Sequence, residues 1–256
     1  MQNIKSVIPK NTLLFFLFML SVSFAAVTAA GDGSKKSVDM SKCVQGIDVS
    51  HYQGNINWPS VKSGGIKFAF IKATDGITYK DPMFSANWKG TKSAGITRGA
   101  YHFYEPNDNP DSQAENFITA VGKLDSMNLP PMIDVETPPP SGTSISSFCQ
   151  GILTYLKTVE KGLGHKPVIY TYYSFAQEYL TDENLNDYPL WIAEYQTPPT
   201  APLIPDTWTK QGWNFWQYSQ SGKCSGINGN VDLDAYNGSS LDLKTFILEN
   251  TISGKL

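Results

Sequence analysis

The stretch PMIDVE, residues 131–136, puts apolar side chains around two acids, Asp134 and Glu136. Pro130 and Pro131 open it, and Pro138, Pro139 and Pro140 follow closely, so the run is short and bounded and reads as a buried strand. Side chains on a strand alternate between faces, which sets Asp134 and Glu136 on one side and Val135 on the other. Unpaired buried charge is costly. Two carboxylates at the end of such a strand therefore have partners, or have shifted pKa values that serve a purpose.

Working outward, the same kind of segment recurs on both sides. The other strand candidates are GIDVS (46–50), KFAFIKATD (67–75), RGAYHFY (98–104), PVIYTYY (167–173), LWIAEY (190–195), NFWQYS (214–219) and NVDLDAY (230–236). Several are continuous apolar runs, which suits strands buried on both faces. Helical patterns lie between some of them. DNPDSQAENFITAVGKL (108–124) has a cap and an early proline, and SISSFCQGILTYLKTVEKGLG (144–164) sets Phe148, Cys149, Ile152, Leu156 and Val159 on one face. SFAQEYLTDENL (174–185) is a shorter third helix. Strands alternating with helices predict an α/β fold, a TIM-like (β/α) barrel in one domain. The late connections WTKQG and QSGKCSGING are too short or too glycine-rich for helices. The barrel is therefore expected to be irregular, with fewer than eight helices and partly antiparallel last strands. An open doubly wound sheet is the alternative, but GDGSKK (31–36) follows no strand and gives it no phosphate loop.

In such a barrel the working groups sit at the C-terminal ends of the strands. Asp48 ends the first strand, Asp134 and Glu136 end a central one, and Asp232 and Asp234 lie on the last, which adjoins the first on closure. Like charges held close cannot all ionise, so at least one pKa rises. A carboxyl that keeps its proton near neutrality can protonate a leaving oxygen, as glycoside hydrolysis requires, while a second group stabilises the cationic centre. Tyr101, Phe103, Tyr104, Tyr170, Tyr172, Trp191, Tyr195, Trp213, Trp216 and Tyr218 fall on or beside strands. About half are expected in the core, and flat rings with a polar edge suit sugar faces. Alternation favours Trp191 and Tyr195 facing the mouth, with Tyr104, Tyr170 and Trp216 as further substrate-binding candidates.

Other chemistries find little support. The histidines are His51, His102 and His165, without a zinc-binding H-E-x-x-H; His51 is expected to make a loop hydrogen bond. No G-x-S-x-G elbow occurs, and no EF-hand spacing points to calcium. Arg98 is the only arginine and the net charge is −3, so no nucleic-acid partner is expected.

Residues 1–30 read as a secretory signal peptide: Lys5 and Lys10 precede the apolar run LLFFLFMLSVSF, and AAVTAAG follows. The apolar run is short for a membrane span, so no stable membrane anchor is expected after cleavage. Removal of Lys5 and Lys10, with no acid, takes the net charge to about −5. Residues 31–45 are expected to be flexible, and 46–256 to form the barrel. Export implies an oxidising compartment, extracellular, periplasmic or lysosomal. Cys149 is expected to be a buried free thiol, and Cys43 and Cys224, which flank strands, are the candidate disulfide.

Taken in order, GIDVSHYQGNINW, FAFIKATDG, RGAYHFY, MIDVE, IYTYY, LWIAEY, FWQYS and GINGNVDLDAYNG, from about Gly46 to Gly238, resemble the glycoside hydrolase family 25 lysozymes of the Chalaropsis type. Each motif is weak alone; the ordered set is specific. The resemblance implies an N-acetylmuramidase that needs no cofactor, works as a monomer and cuts the β-1,4 bond between N-acetylmuramic acid and N-acetylglucosamine in bacterial peptidoglycan. Overall retention is implied, by carboxylate attack or by the substrate's own N-acetyl oxygen. Glu136 matches the general acid/base, and Asp134 the residue that stabilises the reacting centre or orients the N-acetyl group. Asp48 matches the first-strand acid and Asp232 the last-strand acid; Asp234 stands where the family often has Asn or Asp and is a further substrate-binding candidate. A chitinase-like hydrolase would carry an acid where Met132 stands. An inactive glycan-binding barrel is the other alternative, which the intact acid set disfavours.

Overall fold

The computed structural model describes residues 38–195 and 201–252. The expected leader and the first part of the expected flexible segment lie outside the described residues. Strands β1 (Val44–Val49), β2 (Phe68–Asp75), β3 (Tyr79–Lys80), β4 (Thr97–Phe103) and β5 (Met132–Asp134) form the first half. The second half is β6 (Val168–Tyr172), β7 (Leu190–Ala193), β8 (Phe215–Gly222) and β9 (Val231–Tyr236). All but β3 close a barrel, in the order β1-β2-β4-β5-β6-β7-β8-β9 and back to β1. Pairing from β1 to β8 is parallel, and β9 is antiparallel to both its neighbours. The cause is the connection from Lys223 to Asn230, a hairpin rather than a crossover with a helix. The irregular barrel expected from the sequence is thus the observed fold, and β3 is a short addition hydrogen-bonded to the end of β2.

Six helices accompany the strands among the described residues: α1 (Trp58–Ser63), α2 (Phe84–Ala94), α3 (Pro110–Val121), α4 (Ile145–Leu163), α5 (Tyr173–Tyr179) and α6 (Ser240–Glu249). The sequence signals α3, α4 and the start of α5; it does not signal α1 or α2. α2 carries Gly90 in mid-helix, which weakens its helical pattern. The glycine is there because the Trp58 ring lies against it; a Cβ on Gly90 would come within 2.1 Å of that ring.

Alternation divides each strand between two cores. Outward side chains such as Ile133, Ile169, Ile192 and Trp216 pack under α3 and α4, and Ile47, Ala69 and Ile71 pack with Trp58 and Val61 of α1. Inward side chains fill the barrel. Phe70 meets Trp191 at 4.6 Å between ring centroids, and Phe68 and Phe70 each meet Phe215 edge-on at 5.4 Å. Such tilted and edge-to-face contacts suit the ring quadrupoles. Leu243, Phe246 and Ile247 of α6 extend this apolar interior. The interior is an aromatic plug, so the mouth at the opposite end has a floor.

All three cysteines are free, with Cys149 buried on α4 as expected. The pairing of Cys43 with Cys224 is not formed, because they lie at opposite ends of the same ladder. Cys43 precedes the Val44–Tyr236 pair, while Cys224 follows the Gly222–Val231 pair. Tyr236 and Val231 stand roughly 16 Å apart along an extended strand, beyond the reach of a disulfide.

Gly46 faces the plug, where a Cβ would meet the Phe68 ring at 2.2–2.5 Å. Gly46→Ala is therefore expected to lose about 1–3 kcal/mol of stability through overpacking, read in thermal unfolding as a fall of about 3–10 °C in Tm.

Candidate active site

The mouth of the barrel holds a pocket of about 320 Å³, at the small end of the range for ligand sites. Going round the wall, β1 contributes Asp48, β2 Lys72, β4 Tyr101 and Phe103, and β5 Asp134 with Glu136 just beyond it. The circuit closes with Tyr170 of β6, Trp191 of β7 and Tyr195 beyond it, Gln217 of β8 and Asp232 of β9.

Local structure aims the acids. Beyond the end of β5 the ladder continues: Val135 N–H donates to the Tyr170 carbonyl at 2.9 Å, and Tyr104 N–H to the Asp134 carbonyl at 3.0 Å. Alternation therefore persists to Glu136, and Val135 is buried in the outer core. Asp134 is itself buried, and its Oδ1 is sealed off without a hydrogen-bond donor, so the pocket meets it through the other oxygen. Burial holds Asp134 well above the usual carboxylate range, Glu136 adds to this, and Lys72 opposes it. Burial also raises Glu136, with Lys72 pulling it down and Asp232 pushing it up.

Lys72 faces the mouth by alternation with the inward Phe68 and Phe70 of the same strand, and a bulge follows it. The β2–β4 register shifts between Lys72 and Thr74, so one extra residue turns Thr74 outward to His102, at 2.8 Å. The same shift lets Asp75 meet Lys72, with Nζ–Oδ2 at 2.8 Å. The ammonium lies 4.8 Å from the centre of the Phe103 ring, a cation–π distance.

Asp48 and Asp232 stand directly opposite on antiparallel strands, a position in which like charges repel. Burial holds Asp48 well above its usual range, and Asp232 is the next cause. Burial pushes Asp232 up to about 6, while a hydrogen bond from Asp48 holds it down. Burial and mutual repulsion therefore favour a proton shared between the two carboxyls. Gln217 Nε2 donates to Asp48 Oδ2 at 2.7 Å, and its Oε1 accepts from the Tyr170 hydroxyl at 2.9 Å and the Tyr195 hydroxyl at 2.5 Å.

Most of the expected residues come together here: Asp48, Asp134, Glu136, Asp232, Tyr170, Trp191 and Tyr195 all line the pocket. Trp191 does so as buried floor, while Tyr195 is 45% exposed at the rim. Three candidates for substrate contact do not reach it. Tyr104 follows Phe103 on the opposite face and packs outside the barrel near Phe148 and Tyr155. Trp216 also points outward, its indole N–H donating to the Glu194 carbonyl at 2.8 Å. Asp234 points inward but is fully buried, and neither oxygen completes a hydrogen bond. Burial is the main cause that holds Asp234 well above its usual range, and the Trp191 indole opposes the shift without making a formed bond. His51 makes the expected loop hydrogen bond, Nδ1 to Asp81 Oδ2 at 2.8 Å.

Lys72, Gln217 and the exposed Tyr52, all lining the pocket, are additions that the sequence reading did not single out. A signal existed for two of them: Lys72 is the one charge within FAFIKAT, and Gln217 the one polar group within FWQY before the tyrosine.

The model for Glycosyl hydrolases family 25 matches residues 47–227. Lysozyme M1 of Streptomyces globisporus is 40% identical over 209 residues, covering 78% of this chain and 70% of that protein. The N,O-diacetylmuramidase of Chalaropsis sp. is 33% identical over 206 residues, 74% of this chain and 96% of its own. The crystal structure of the bacterial lysozyme from Streptomyces coelicolor superposes with a TM-score of 0.75 at 38% identity, covering 81% of this chain and 98% of that one.

The raised Asp232 pKa carries a stability consequence. Its folded value, about 6, exceeds the unfolded value of about 3.9. Between the two the folded chain binds more protons, so stability falls as pH rises through that window. Asp232→Asn removes this cost and should stabilise the protein by about 1–3 kcal/mol at pH 7 but hardly at all at pH 3.5. Unfolding measured at both pH values checks it; equal gains at the two would contradict it.

Proposed function

The chain belongs to glycosyl hydrolase family 25, and on that premise we propose that it cuts the β-1,4 bond between N-acetylmuramic acid and N-acetylglucosamine, with retention, using Glu136 as general acid and then base. Lysozyme activity on peptidoglycan is the activity of the family's named members among its relatives. The observation that carries the residue-level reading is the position of Glu136. It is partly open to the pocket, beside Asp134, in surroundings that raise its proton affinity.

Glu136 in its neutral form donates its proton to the bridging oxygen as the glycosidic bond breaks. Positive charge then grows at the sugar C1, and the pocket answers it with carboxyl groups. Asp134 presents one oxygen from the same strand end, and the Asp48–Asp232 pair supplies about one negative charge from across the mouth. A carboxylate or the substrate's own N-acetyl oxygen bonds to C1 as the leaving oxygen departs; in the second step water displaces it, giving its proton to the ionised Glu136, so two inversions yield retention. The phenols of Tyr170 and Tyr195 stand at the wall and rim, where sugar hydroxyls pass. Met132 lies on the inner face below Asp134, where a chitinase-like site would have a third acid, which supports the muramidase reading over the chitin one. Secretion is proposed from the leader pattern of residues 1–30.

Glu136→Gln keeps the shape and removes the transferable proton. Release of reducing ends from purified peptidoglycan should fall by about 10²–10⁴-fold, with Tm unchanged or higher. Wild-type release by this variant would refute the assignment. Mass spectrometry of wild-type products should show muramic acid at the new reducing end; glucosamine there would contradict the bond proposed.

A further inference from the structure

We propose that Gln217 is a positioning residue that fixes the proton order of the acid cluster: locked by Tyr170 and Tyr195, its amide reserves Asp48 Oδ2 as an acceptor and confines the Asp48–Asp232 proton to the space between those two carboxyls. The argument starts from the amide itself. A primary amide has one acceptor oxygen and one donor nitrogen, and in a buried site a reversed orientation normally competes. Here two phenols donate to Oε1, at 2.9 and 2.5 Å. Reversal would take the acceptor away from both phenolic O–H groups and leave Oε1 facing a carboxyl oxygen. Nε2 is therefore held toward Asp48 Oδ2, at 2.7 Å. An oxygen that already accepts an N–H at that distance is a poor place for a proton. The proton of Asp48 is left to its other oxygen, and Asp232 stands directly across the strand pair to share it.

The remaining groups around Asp48 do not impose this order. Tyr101 of β4 and Asp234 of β9 feel its charge but make no hydrogen bond to it. Asp134 and Glu136, at the end of β5, act on the acid cluster through charge, as does Lys72 of β2 on those two. Tyr170 and Tyr195 reach Asp48 through Gln217. Among the described residues, Gln217 is thus the neutral side chain that distinguishes the two oxygens of Asp48. The consequence is that once Asp232 ionises, around pH 6, the pair carries one negative charge and keeps its second proton between the carboxyls. This rests on the muramidase reading for its catalytic meaning, because there the charge of the pair supports the cationic centre.

Two measurements test it. In Gln217→Leu the donor to Asp48 is gone, the pair gains proton affinity, and the acidic limb of the kcat/KM profile on peptidoglycan should move up by about one pH unit. The double variant Tyr170→Phe, Tyr195→Phe keeps the glutamine but frees its orientation, and should move the limb the same way by less. A lower rate or a lower Tm with the limb unmoved in both variants would leave Gln217 a packing residue and overturn the proposal. The second measurement needs no substrate: the Nε2 proton resonances of Gln217 in the wild-type protein should shift with the titration of the Asp48–Asp232 pair. Resonances that do not move with pH would overturn the proton order. A wild-type protein that fails to cut peptidoglycan would sink the muramidase reading alone, and the amide titration would still decide the arrangement.

Discussion

Asp48, Asp134, Glu136, Asp232 and Asp234 all face the inside of one barrel, above rings that close it from below. That confinement is the constraint on which the site depends. Were the interior open, water would enter from below and each acid would ionise at its ordinary pH. With Phe68, Phe70, Trp191 and Phe215 packed beneath them, the acids exchange charge chiefly with one another and with Lys72. Protons are retained because there is too little solvent to stabilise so many negative charges at once.

The arrangement sets function against stability. Each acid held above its unfolded pKa lowers the stability of the folded chain at neutral pH. The apolar interior offsets this, since a fully buried large side chain contributes about 1.5–3 kcal/mol. The same rings thus supply the dry floor that raises the acids and the burial that compensates for them. Lys72 and Gln217 moderate the result in different ways. Lys72 brings a full charge, held in place by Asp75 and Phe103, whereas Gln217 brings a directed dipole held by two phenols.

The sequence showed the strands well, because runs such as FAFI and MIDV alternate between two buried faces and carry few polar groups. It showed the acids well too, since a carboxylate at a strand end stands out against such a background. It showed little of α1 and α2, where a short proline-bearing segment and Gly90 blur the helical pattern in order to fit the Trp58 ring. Tyr104 and Trp216 misled because aromatic residues on both faces of a strand look alike in composition; only parity with the acids separates them. Parity sends both outward, as it does Val135. Lys72 shares the inward parity of Phe68 and Phe70 and was legible as the one charge in that run; what the bulge after it hid is the outward turn of Thr74, which no local pattern announces. Cys43 and Cys224 both flank strands of one ladder, but position along that ladder, not proximity to strands, decides whether sulfurs can meet.

The central claim is that Glu136 still carries a proton when ordinary glutamates have lost theirs. Carbon-13 detection of the Glu136 side-chain carboxyl through a pH titration of the wild-type protein measures this directly. A midpoint clearly above the ordinary glutamate value of about 4.3, with a second inflection as the Asp48–Asp232 pair titrates, is the predicted result. A single transition at or below that value would contradict the account.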